Sequence, residues 1–126
     1  MKRSWFGVGL LILLLAVSLL SSWAMLAIHQ PISRDLEQAG EVTLLGQFPE
    51  GRALAVRARA GWEKWAHFRA CFSDHTPVEE IDAAFAELFS YGAAGEDAAF
   101  AAACSQLAQQ VKAVGEAHGI YWWNLF

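Results

Sequence analysis

Hydrophobic positions fall into two patterns along this chain. From Trp5 to Ile28 no charged residue interrupts the sequence, and apolar side chains come on every side of a helix drawn through it. As a helix this run is about 36 Å long, against a bilayer hydrocarbon core of about 30 Å, so it predicts a transmembrane segment. Beyond it, apolar residues recur at steps of three and four between polar ones, the mark of helices with one buried face. Ile32, Leu36, Ala39 and Val42 open that second pattern, with Ser33 placed to cap a new or continuing helix after Pro31. The segment 40–51 is less regular and predicts a turn around Gly46 to Pro49.

Three further helices follow. One runs from Pro49 or Glu50 to Phe72, with Leu54, Ala58, Gly61, Trp65, Phe68 and Phe72 as its stripe and Trp62 beside it. Trp62, Trp65, Phe68 and Phe72 thus form an expected aromatic core ridge. Ser73-Asp74-His75 makes a corner, after which Thr76 is placed as an N-cap, Pro77 as first helical residue and Glu79 as capping-box acid. The helix they start reaches Tyr91 and buries Val78, Ile81, Phe85, Leu88 and Phe89. Gly92-Ala93-Ala94-Gly95 is the next turn. The last helix spans Glu96 to His118, with Phe100, Cys104, Leu107, Val111, Val114 and His118 as its seam and Gly119 as its cap. The fold expected is all-α: a transmembrane anchor in residues 1–30, then a small antiparallel bundle of three to four helices in 31–126.

Charge sets the orientation. Lys2 and Arg3 precede the apolar run, which places the N-terminus in the cytoplasm and the bundle outside. Ser22-Trp23-Ala24 leaves open a second reading, a signal peptide cleaved near Ala24 and a secreted domain. The chain carries 9 basic and 13 acidic residues, a formal net charge of -4, and both of the basic residues before the span belong to the anchor. The bundle is therefore the more acidic part, which argues against a nucleic-acid partner. Within it a basic helix, with Arg52, Arg57, Arg59, Lys64 and Arg69, precedes an acidic one, with Glu79, Glu80, Asp82 and Glu87; this predicts pairing between the two.

Candidate chemistry is sparse. Cys71 and Cys104 are too few for a disulfide framework, and the helix geometry sets them about 20 Å apart in height. Neither a zinc-type spacing nor a phosphate loop nor a nucleophile elbow is present in the sequence. Asp74, His75 and His118 can converge at the membrane-proximal end, where two imidazoles and a carboxylate would suit a metal ion or a proton. A carboxylate before a helix more often binds backbone amides, and a histidine on an apolar seam is more often packed. Trp62 and Trp65 can similarly be read as an aromatic cage, though their spacing fits a core better. The tail holds Trp122, Trp123 and Phe126, too apolar for water; it either folds back over the open end of the bundle or meets the membrane interface.

From Trp62 onward the chain resembles a family of short bacterial single-pass membrane proteins catalogued as a domain of unknown function. The resemblance rests on Trp62-Glu63-Lys64-Trp65, Phe72-Ser73-Asp74-His75, Val78-Glu79-Glu80-Ile81-Asp82 with Leu88, then Glu96-Asp97, Leu107 and Asn124-Leu125-Phe126. It implies a membrane-anchored helical domain without assigned catalysis, an accessory to larger membrane proteins. With no catalytic motif and no cofactor expected, the chain reads as a non-catalytic interaction module whose partners are the lipid bilayer and another membrane protein. The alternative is an extracytoplasmic metal- or ligand-binding domain using Asp74, His75 and His118.

Overall fold

A computed structural model of the chain describes the backbone of residues 2–66 and 75–124, and side chains within 2–66 and 78–115. The described residues form four helices: α1 (Lys2–Leu44), α2 (Phe48–Lys64), α3 (His75–Ala93) and α4 (Asp97–Asn124). The protein is all-α, a long apolar N-terminal helix leading into an antiparallel bundle.

α1 does not stop at the edge of its apolar run. It passes through Pro31, which lacks the amide that would bond to the Ala27 carbonyl. Both residues are exposed, so water can satisfy that carbonyl. Ser33, expected as a cap, instead lies mid-helix and donates its hydroxyl to the Ala108 carbonyl of α4 at 3.1 Å. The buried face of α1 is Met25, His29, Ile32, Ser33, Leu36, Ala39, Gly40 and Thr43, so the bundle begins inside the stretch first assigned to the anchor.

Two glycines reverse the chain at the far end. After α1, Gly46 adopts φ 84°, its amide bonds the Thr43 carbonyl, and the Gln47 amide bonds that of Val42. After α3, Gly95 adopts φ 75°, with Gly95 to Gly92 and Glu96 to Tyr91 in the same pattern. Both are Schellman closures, in which a left-handed residue lets the last carbonyls find amides; glycine adopts that conformation without a Cβ clash.

α1 is the central element, packing along α4 and α2, while α3 packs on α4. Small residues let the helices close. A Cβ at Gly40 would stand 3.1 Å from the Ala101 carbonyl oxygen, and one at Gly51 would collide with Thr43 Oγ1 and lie 2.9 Å from the Ala39 oxygen. The core between them holds Leu36, Trp62, Phe85, Leu88, Phe100 and Leu107, none more than 2% exposed.

Several boundaries differ from the sequence reading. α2 ends at Lys64, with Trp65 at φ -102°, ψ 15°. Its buried stripe is Gly51, Ala55, Ala58 and Trp62; of the expected stripe Ala58 lies on it, Leu54 and Gly61 flank it half-buried, and Trp62, expected beside it, is fully sealed. The face that meets α1 combines small residues with Trp62: Gly51 abuts Thr43, Gly61 abuts Ile32 and the Trp62 ring meets His29. Trp65, past the end of that stripe, is 37% exposed. α3 is described from His75, which puts Thr76, expected as the N-cap, and Pro77, expected as the first helical residue, in its first described turn. Proline fits there because first-turn amides have no intrahelical acceptor. α4 continues through Gly119 to Asn124, where a cap and a fold-back of the tail were open readings. Glycine lowers helix propensity by about 1 kcal/mol relative to alanine, a cost that weakens a helix without ending it.

Charge pairing also differs. Arg57 forms a two-pronged ion pair with Asp35 of α1, at 2.9 and 2.6 Å, rather than with the acidic α3. α2 and α3 are linked instead by the Trp62 indole N–H donating to Asp82 Oδ1 at 2.8 Å and by Arg59 over the Phe89 ring at 5.5 Å.

Candidate functional site

The features closest to a site gather at the end of the bundle nearest the apolar half of α1, where α2 ends and α3 begins. His29 is 1% exposed, and its Nδ1 donates to the Met25 carbonyl one turn earlier at 2.7 Å. A carbonyl only accepts, so the bond fixes the proton on Nδ1. The imidazole meets the Trp62 ring edge-on, centroids 5.8 Å apart at 73°. Trp62 then donates to Asp82. One relay of contacts, buried at His29 and Trp62 and reaching the surface at Asp82, therefore joins α1, α2 and α3. Gly115 of α4 closes its fourth side, since a Cβ there would stand 3.1 Å from His29 Cβ.

This arrangement is suited to holding helices in register. Outside it, a shallow groove of about 220 Å³ between α2 and α3 is lined by Arg59, Trp62, Glu63, Ala66, Val78, Asp82 and Phe85. Pockets for drug-sized ligands run from about 300 to 1,000 Å³ and enclose most of the ligand, so this groove is small for that role. Trp62 is sealed in the core and offers no open face for an aromatic cage, while Trp65 carries Lys64 Nζ over its ring at 5.6 Å.

The sequence-derived candidates sit as follows. The α3 and α4 backbones run antiparallel, with Gly92 against Phe100, and this register brings His75 and His118 to the same end. Asp74, Phe68, Phe72 and Phe126 lie outside the described residues, as does Cys71. Trp122 and Trp123 fall on the last turns of α4. Among the described residues no group of three or more His, Cys, Asp or Glu side chains could hold a metal ion. Cys104 is a buried thiol whose desolvation pushes its pKa up to about 12, which keeps it protonated and poorly nucleophilic at neutral pH.

Sequence reasoning missed His29. It stands four residues after Met25 and three before Ile32, in phase with Leu36, and extending that stripe backward would have found it. Its place at the end of the apolar run hid it.

Comparison of the chain with protein-family models, with curated proteins and with solved structures finds no match.

Proposed function

We propose that this protein is a membrane-anchored helical module, without catalysis of its own, that stands on the outer face of a bacterial plasma membrane and engages another membrane protein. One observation carries the reading: a single unbroken helix joins an exposed apolar segment to the core of the bundle. The first half of α1 is long and apolar enough to cross a membrane. The second half supplies eight buried residues to the bundle, from Met25 to Thr43. A ligand-binding or catalytic domain works equally well on a flexible tether; a rigid stalk fixes the height and facing of a surface, which matters when that surface meets a neighbour in the same membrane. The resemblance carried by Trp62-Glu63-Lys64-Trp65 points the same way.

Lys2 and Arg3 support an outward-facing bundle through the positive-inside rule. Protease added to cells with a permeable envelope but a sealed plasma membrane should digest the bundle; full protection would reverse the orientation. The interaction is tested by crosslinking the intact chain in its native membrane and purifying it in mild detergent. A membrane protein recovered in fixed ratio is expected. Recovery of the chain alone would overturn the module reading.

A further inference from the structure

We infer that the last turns of α4 enter the outer membrane interface beside α1, so that the bundle rests on lipid through two helices rather than hanging from one. The inference depends on the membrane reading above and adds a second lipid contact to it.

The first support is helix register. Three contacts fix how α4 runs against α1: Gly40 meets Ala101, Ser33 bonds Ala108, and His29 meets Gly115. The two helices are antiparallel and stay in contact down to that last pair. Less than two turns further, about 9 Å, α1 reaches Trp23 and α4 reaches Tyr121, with Trp122 and Trp123 next. α4 is still helical there.

The second support is the absence of a spacer within α1. Trp23 is 68% exposed and Met25 is 2% exposed, so burial in the bundle begins where the exposed apolar surface ends. Trp5, 78% exposed, lies about 27 Å below Trp23 along the helix, close to the thickness of a hydrocarbon core. Tryptophan is enriched at membrane–water interfaces, so Trp5 and Trp23 mark the two boundaries. The outer boundary then falls at the height of Ile120-Tyr121-Trp122-Trp123 on α4. A helical backbone is also the form in which a chain enters that environment with its amides satisfied.

The test uses the full chain in vesicles of phosphatidylcholine and phosphatidylglycerol, some lipids carrying a nitroxide just below the headgroup. Emission of the parent is compared with that of Trp122→Phe/Trp123→Phe and, separately, Trp23→Phe; each difference reports the tryptophans removed. The inference expects roughly half or more of the pair's emission to be lost to the lipid nitroxide, as for Trp23, because both lie at interface depth. If iodide in the water quenches the pair instead, or neither quencher reaches it, the second lipid contact is wrong. If the Trp23 emission also escapes the lipid quencher, the anchor itself is misplaced and the reading above fails with it.

Discussion

The two halves of α1 share one backbone and bury opposite things. Before Met25 its large side chains are exposed on all sides, with Phe6 80% and Leu20 67% exposed. From Met25 onward one stripe is sealed and Arg34, Glu37, Gln38 and Glu41 face outward. Uniform hydrophobicity suits a solvent that is the same in every direction, as lipid is. One-sided hydrophobicity suits a protein neighbour on one side and water on the other. The change occurs within one continuous helix, so the surface of α1 changes character while its backbone runs on, short only of the amide that Pro31 lacks. This contrast implies that the halves can be damaged separately.

The largest effect is expected at Trp62. Trp62→Ala removes the biggest fully buried side chain together with its bond to Asp82, and a buried tryptophan truncated to alanine costs about 3–5 kcal/mol. Cooperative thermal unfolding of the bundle, followed by near-ultraviolet dichroism in micelles, should collapse while carbonate-resistant membrane association persists. Loss of both would mean the halves are not independent. The converse change is Leu14→Arg, at a 56% exposed position in the apolar half. A charge at the centre of a span costs about 3 kcal/mol on insertion scales. The carbonate-resistant fraction should fall, with the bundle's melting unchanged; unchanged insertion would reject the span.

Gly51→Ala sharpens the protein-facing side of the contrast. The new methyl collides with Thr43 Oγ1 and the Ala39 carbonyl, and overpacking of this kind costs about 1–3 kcal/mol, partly offset by better helix propensity. A lower melting temperature is expected; a rise would show that α1 and α2 can separate freely. The smallest effect concerns Cys104. Burial raises its folded pKa from 9.0 to about 12, so the unfolded chain loses the thiol proton first. The stabilisation is complete below pH 9 and is lost as pH rises from there toward 12. Cys104→Ala should flatten the alkaline decline in melting temperature, and a slope identical to the parent's would contradict the burial.

The fold was largely legible because its two periodicities are strong. Ile81, Phe85 and Leu88, and Phe100, Cys104, Leu107 and Val111, were read from spacing alone and are buried. The glycine turns at Gly46 and Gly95 were legible for the same local reason: few other residues adopt their backbone angles comfortably. The face of α2 was not. Aromatic size pointed to Trp65, whereas close helix approach adds Gly51 and Ala55 to the Ala58 already in the pattern, and their small size carries little hydrophobic weight. Helix ends were the other weak point, since Gly119 resembles a stop signal and α4 nonetheless continues through it. His29 belonged to both patterns, polar for a span and buried for a bundle, and so stood out in neither.

The unbroken passage of α1 through Pro31 has a consequence for evolution of the chain. Each residue of a helix turns it by about 100°, so one residue inserted between Trp5 and Trp23 would leave both halves intact yet swing the bundle by about that angle relative to the lower part of α1. Length in the apolar half thus sets the bearing of the bundle about the axis of α1. If the bundle meets a neighbour as proposed, an insertion there would disturb the contact in a way that a substitution of like polarity would not.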